Sequence, residues 1–521
     1  MFLIFLVVIV IPTIIVSAQS LPQRIGVQEE STRLSIDDCV RMALENNPEV
    51  EIERVNIKQL EDELLSAKGS YDPVLSVATG FTRQISPVTN LFGGGDGQVS
   101  TGTFTQEFSL RGLLASGMSY GLSSSVQRVN TDNIFVNLNP LFLTQLTAEM
   151  RRPLLRNRSS DQARRRVKLL DKQLDLSDLE FRRRIVEVIA RVQLAYWDLV
   201  YAHKSVEIAE ESLRLAREQL ARTRRLVEAG AQAPAELVQV EAQLRTREET
   251  LLAAFEAVTI AENRLKMQIL KREDERWYKQ IVPIDRPQLT PIDWDLKKLL
   301  DLALHNRLEL QQIRLRSEMA KQEHNFFAEQ TKPQLDLVAS YTLLGAAGRL
   351  IDRPSPFATA LLAIDVSSLG RVPDFLQGGL GQSLANLFQN RFNTLRVGLQ
   401  LELPYRNRSA QGQLGKAKHE LRKIELQKHY AESIIEAEVR NALQTARTAY
   451  ERVRASEAAV TAASEQLASE QRRYEAGLST TFLILTRQQE LAEAKGRHLR
   501  AVTDYDKALV ELRRASGTLM P

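Results

Sequence analysis

The chain has 521 residues, 26% of them charged and only 6% aromatic, and its net charge of +4 is the remainder of nearly balanced basic and acidic totals. That balance argues against a nucleic-acid binder, whose surface carries clustered basic charge, and the length exceeds one ordinary domain. Cys39 is the sole cysteine, which excludes an intramolecular disulfide.

Residues 1–18 are almost wholly apolar and end Val16-Ser17-Ala18, the small-residue pattern read by a signal peptidase. They predict a cleaved secretory signal with the mature chain from Gln19; no Lys or Arg opens the segment, so an uncleaved anchor is the alternative. No later segment is apolar enough to span a bilayer as a helix. From Ser35 to Lys68 an amphipathic helix is expected, capped at Ser35 and closed by Gly69-Ser70-Tyr71-Asp72-Pro73. Cys39 falls on it as a small buried hydrophobe.

The period then becomes two. Alternation over Val74 to Thr82 and Leu141 to Met150 predicts a strand pair. The loop Gly93 to Gly97 is expected outside the cell. Thr101 to Val126 also alternates, and reads either as an extra hairpin projecting above the membrane or as additional wall strands. A long helical hairpin follows. Val206, Ala209, Leu213, Ala216, Leu220 and Val227 form a left-handed coiled-coil seam with Leu237, Val240, Leu244, Leu251, Ala254, Val258, Ala261 and Leu265, interrupted by Thr223 and Arg247. Apolar Ile208, Leu215, Leu226, Leu252 and Ile260 lie off the seam and ask for further helical neighbours.

The second half replays the first. Ala43-Leu44-Glu45-Asn46 matches Ala303-Leu304-His305-Asn306, and Pro73 matches Pro333 at the same offset. Strand-like Gln334 to Thr342 and Leu395 to Leu403 follow, flanking an interval, Gly345 to Asn393, expected outside the cell. Arg156-Asn157-Arg158-Ser159 recurs as Arg406-Asn407-Arg408-Ser409; repetition accounts for these two sequons better than glycosylation. Glu218-Gln219-Leu220-Ala221 with Glu228-Ala229-Gly230 recurs, equally spaced, as Glu465-Gln466-Leu467-Ala468 with Glu475-Ala476-Gly477. Each glycine reads as the tip of a hairpin. The predicted organisation is a signal at 1–18, a first repeat at 19–270, a Pro-containing connector at 271–294 and a second repeat at 295–521.

No catalytic, metal or cofactor constellation is found: no His-Glu-x-x-His, no Gly-x-Ser-x-Gly, no nucleophilic setting for Cys39. Gly378-Gly379-Leu380-Gly381-Gln382-Ser383 lacks the lysine and preceding strand of a phosphate loop and reads as a flexible surface loop. Amphipathic strands in an exported chain without a membrane-spanning helix point to a β-barrel in an outer membrane. Four core strands cannot close a barrel alone, so several copies must pool theirs.

On Ala43-Leu44-Glu45-Asn46-Asn47-Pro48-Glu49, Pro153-Leu154-Leu155-Arg156, the tip Tyr474-Glu475-Ala476-Gly477-Leu478 and the duplicated layout, the chain resembles the TolC-like outer membrane efflux protein family. The resemblance implies a mixed α/β membrane protein. Its homotrimer shares a twelve-stranded barrel, four core strands per chain, continued by a long periplasmic α-helical barrel. It further implies a duct for efflux or type I secretion that contacts outer-membrane lipid and docks on a periplasmic adaptor (membrane fusion protein) serving an inner-membrane transporter. The alternative class is a secreted coiled-coil scaffold of the cell envelope. Adaptor contact is expected at the tips Gly230, Ala231, Gln232, Gly477, Leu478 and Ser479, unless the glycines only turn the chain. The family pattern places acidic residues six and nine positions past the second tip glycine and a latch arginine nearby; here Leu483, Thr486 and Ser479 stand there, with Glu236 and Gln239 in the first repeat. The expected constriction is therefore mainly apolar, at Leu483 with Thr486, with weak cation preference from Glu236; the alternative is that Leu483 packs between helices.

Overall fold

A computed structural model describes residues 24–26, 28, 30–88, 97–133, 136–287, 289, 295–351 and 372–519. The expected signal, residues 93–96 of the first loop and residues 352–371 of the second lie outside them. In chain order the elements are β1 (Ser31–Leu34), α1 (Ile36–Asn46), α2 (Pro48–Lys68), β2 (Val74–Pro87), β3 (Gln98–Leu113), β4 (Ser119–Thr131), β5 (Leu138–Pro153), α3 (Gln162–Glu228), α4 (Pro234–Ile269), β6 (Gln280–Pro283), α5 (Leu296–Asn306), α6 (Leu308–Gln330), β7 (Gln334–Leu350), α7 (Leu380–Phe388), β8 (Phe392–Glu402), α8 (Arg408–Glu475) and α9 (Thr481–Ala515). The duplication is written in their lengths: 11 residues in α1 and α5, 67 in α3 against 68 in α8, 36 in α4 against 35 in α9.

Two compact units result, one of residues 1–54, 180–310 and 430–521, the other of 55–179 and 311–429. The first is helical. Its core gathers Cys39, Val50, Val188, Val192, Tyr196, Leu199, Leu265 and Ile269 around α1, α3 and α4. Tyr196, fully buried, donates its hydroxyl to Leu34 O and to an Asp285 carboxylate oxygen at 2.7 Å, and that same oxygen accepts the Ile36 amide. The expected seam is present: Ala209, Leu213 and Leu251 cluster with Val206, Leu244 and Ala254. Arg247, which interrupts it, donates to Ser212 Oγ at 2.7 Å, and burial lowers its pKa. Burial pushes the Cys39 thiol up to about 12, so it is chemically inert.

Three features of this unit differ from the sequence expectation. The single helix expected over 35–68 breaks at Asn47, which is extended because the following Pro48 disfavours αR there. In the second half Arg307 makes the same break without a proline, held by Glu309, Glu438 and the Ala515 carbonyl. Third, the connector is partly structured: β6 pairs in parallel with β1, burying Ile281. There Lys266, fully buried, pairs with Glu262 at 2.6 Å and donates to the carbonyls of Trp277 and Lys279.

The second unit carries one six-stranded sheet in the order β2-β3-β4-β5-β7-β8, antiparallel throughout. The four expected strands are all present, and the alternating stretch 101–126 supplies two more. It does not project beyond the sheet: β3 pairs with β2 from Gln98 to Arg111, and β4 with β5 from Ser119 to Val129. At the strand exits Asn157 and Asn407 adopt positive φ. Their side chains are used internally, Asn157 accepting from Gln330 at 2.6 Å and Asn407 donating to the carbonyls of Gln330 and Thr331. The glycine-rich stretch 378–383 is a second correction. From Leu380 it is helix α7, with Ser383 buried, since its glycines sit at or before the first turn. Among the described residues no helix is long and apolar enough to cross a membrane.

One buried acid gives a pH prediction. Asp506 on α9 is 8% exposed, its Oδ2 has no hydrogen-bond partner, and burial raises its pKa to about 7 although Arg513 opposes the shift. A carboxyl whose folded pKa lies above its unfolded value costs stability as pH rises from about 4 to 7, and the full cost is present above that. Asp506→Asn should therefore raise the apparent unfolding temperature by about 2–4 °C at pH 8 and by clearly less at pH 5. Circular dichroism melts at the two pH values check it.

Candidate functional site

The strand register sorts every side chain of the sheet onto one of two faces. One face carries Leu75, Val77, Phe81 and Ile85 of β2, Phe104, Phe108 and Leu110 of β3, and Leu122 and Val126 of β4. It continues through Leu146 and Met150 of β5 and Leu337 and Tyr341 of β7 to Leu395, Val397, Leu399 and Leu401 of β8. Most of these large apolar side chains are exposed, Leu395 by 68% and Phe81 by 69%. The other face is mainly polar, with Ser76, Thr82 and Gln84; Thr103, Thr105, Glu107 and Ser109; Ser123, Ser125 and Gln127; Thr147, Glu149 and Arg151; Ser340 and Thr342; Thr394, Arg396 and Gln400, and with Val129, Leu141, Leu143, Val338 and Leu344 as its apolar members. On it Arg151 donates from Nε and Nη2 to Asp336 at 2.8 and 2.6 Å. Chemically this is a wall with oil on one side and water on the other. Among the described residues both of its outer strands, β2 and β8, have a neighbour on one side only.

The second candidate site is the pair of hairpin tips in the helical unit. Gly230 and Gly477 both adopt positive φ, at 73° and 72°, as helix-ending glycines do. Hydrogen bonds from Ala231 N to Leu226 O and from Leu478 N to Arg473 O close each terminus identically. Pro234 opens α4 and Thr480 caps α9, accepting from Leu483 N. The tips are joined to each other. Gln232 donates to the Tyr474 hydroxyl at 2.9 Å and to Thr481 Oγ1 at 3.1 Å, while the buried Thr481 hydroxyl donates to Glu236 at 2.7 Å. Arg222 lies 5.0 Å above the Tyr474 ring, and Ser479 donates to Glu470.

Each residue singled out from sequence can now be placed. Gly230, Ala231, Gly477 and Leu478 are exposed, Leu478 by 71%. Gln232 and Ser479 are half-buried because they hold the tips together, Gln232 to the other hairpin and Ser479 to its own. Glu236 is half-buried and engaged by Thr481. Leu483 is 37% exposed, beside the more exposed Phe482, and Thr486 returns its hydroxyl to Phe482 O. Sequence reasoning missed Tyr474 and Thr481 as the bridge. Their only signal was their place immediately before and after the tip, and a partner some 240 residues away leaves none.

The comparisons agree with this architecture. The family model described as outer membrane efflux protein matches residues 157–269 and 299–518, more than half of the chain. Among solved structures, the outer membrane channel CmeC of Campylobacter jejuni aligns at TM-score 0.63 and 13% identity, over 93% of this chain and 85% of that one. The outer membrane protein VceC of Vibrio cholerae aligns at 0.61 and 16%, over 92% and 96%. The outer membrane channel MtrE of Neisseria gonorrhoeae, in its open state, aligns at 0.57 and 16%, over 92% and 88%. No curated protein matches the chain.

The tip network predicts a coupled loss. Gln232→Ala and Tyr474→Phe should each speed amide hydrogen exchange across residues 474–482, and the double variant should add little to either. Additive effects would mean that the two side chains are not acting through one shared bond.

Proposed function

Because the chain belongs to the outer membrane efflux protein family, whose members are trimeric channels working with periplasmic adaptors and inner-membrane pumps, we propose that three copies close one barrel of eighteen strands, six from each. The observation that carries this reading is the amphipathic six-stranded sheet whose outer strands have, among the described residues, a neighbour on one side only. A row of free amide and carbonyl groups is a template for another strand, and within lipid each such group must find a partner. The edge β2 of one copy pairs with β8 of the next, keeping the apolar faces outward and the polar faces around a water-filled lumen. Barrel diameter grows roughly linearly with strand number, so eighteen strands make a barrel about 1.5 times as wide as twelve. The off-seam residues Leu252 and Ile260, 45% and 52% exposed, support a helical wall completed by neighbouring copies. A coiled-coil scaffold would have no use for the sheet's apolar face.

In the helical unit, the tips close the entrance and receive the adaptor. Exposed Leu478, Gly477, Gly230 and Ala231 form the contact, and Gln232 and Ser479 hold it in shape. Leu483 forms the narrow ring, with Thr486 on the following turn and Glu236 supplying a weak cation preference. Opening requires the Gln232–Tyr474–Thr481–Glu236 links between the hairpins to part.

Native mass measurement of the detergent-extracted protein should give a trimer; a monomer or dimer would overturn the closure. Leu478→Asp should abolish export with the trimer mass unchanged, whereas loss of trimers would assign the tip a structural role. In planar bilayers Leu483→Ser and Thr481→Val should each raise single-channel conductance several-fold, and Glu236→Gln should weaken cation preference. Unchanged conductance in both of the first two places the constriction elsewhere.

A further inference from the structure

Helix α7 buries polar Ser383 and Asn386 together with Leu387, and leaves Leu380 and Phe388 at its two ends exposed. Its polar side chains face the protein: Ser383 and Asn386 are buried, with Ser383 Oγ donating to Phe142 O and Asn386 Nδ2 donating to the carbonyls of Ala346 and Phe375. Its apolar side chains include the most exposed ones, Phe388 at 74% and Leu380 at 38%. An ordinary amphipathic helix on a water-soluble surface does the reverse.

The seat of the helix explains the arrangement. Thr144 donates to, or accepts from, the Ser383 hydroxyl at 3.0 Å, and a Cβ on Gly345 would lie 2.1 Å from Ser383 O and 2.9 Å from Leu387 Cβ. Thr144 and Gly345 are register partners, and both belong to the apolar face of the sheet. Buried Ala347 continues the same row of small residues. Just past the helix, Tyr341 on that face donates to Asn390. The large apolar side chains therefore stop at this seat, between Phe142 and Leu146 on β5 and beyond Leu343 on β7, where the helix lies instead.

We propose that α7 is a lipid-facing part of the barrel wall, its Phe388 and Leu380 side embedded in the outer-membrane bilayer. The occupant of this face is lipid because the face continues the row Leu395, Val397, Leu399 and Leu401, and because the buried polar side leaves water nothing to solvate. The helix restores apolar surface where the sheet offers Thr, Gly and Ala, and an exposed phenylalanine at such an edge matches the aromatic girdles of membrane barrels. This inference rests on the barrel reading.

Nitroxide labels on the full-length trimer in proteoliposomes test both separately. Cys39, buried and inert, leaves the native chain unlabelled. Val397→Cys and Arg396→Cys report the two faces of the sheet, and Phe388→Cys and Leu380→Cys report the helix. The expected result is an oxygen-to-nickel-chelate collision ratio at Phe388 and Leu380 that matches Val397 and exceeds Arg396 several-fold. Ready access of the nickel chelate would place the helix in water, and low access of both probes would place it against a second copy; either overturns the proposal. Failure of Val397 and Arg396 to differ would instead overturn the barrel.

Discussion

The obligation to pair every backbone amide and carbonyl in hydrocarbon governs this molecule. In a member of the outer membrane efflux protein family the sheet is the element that meets it, and a sheet meets it only when closed. Six strands with one apolar and one polar face satisfy the side-chain half of the problem within a single copy. Among the described residues the backbone half is left open at β2 and β8, which a neighbouring copy in a trimer would complete. Assembly is thus a condition for the sheet to exist in lipid. The long helices carry a similar feature, since the off-seam Leu252 and Ile260 of α4 are 45% and 52% exposed within one chain.

The tips show a different economy. This chain ties its two tips with hydrogen bonds around Gln232, Tyr474 and Thr481, engages the carboxylate of Glu236 in the same network and sets Arg222 against Glu475 at 3.8 Å. Each such bond contributes roughly 0.5–1.5 kcal/mol net, more where a charged group takes part. A few of them hold the two tips together and remain individually easy to break.

Much of this was legible in the sequence because it was written twice or periodically. The repeated tetrapeptides fixed the duplication, and glycine at 230 and 477 fixed both turns, each realised with positive φ. Helical seams and four strands followed from periods of seven and two. Strand membership was harder: Thr101 to Val126 alternates as cleanly as its neighbours, but alternation does not say which strand lies alongside. Short elements escaped altogether, as β1 and β6 are four residues each and offer no period to count. The glycines of 378–381 signalled a loop, but they sit before or within the first turn of α7, where they do not prevent a helix. Bridges such as Gln232 to Tyr474 depend on two hairpins meeting in space, and no local pattern encodes that.

The central claim is that the stretch between the first two expected strands is wall, so that each copy brings six strands. Cryo-electron microscopy of the trimer in lipid nanodiscs decides it by counting. The account predicts eighteen strands around the barrel, with β2 of each copy beside β8 of the next. Twelve strands, with β3 and β4 standing clear of the wall, would contradict it.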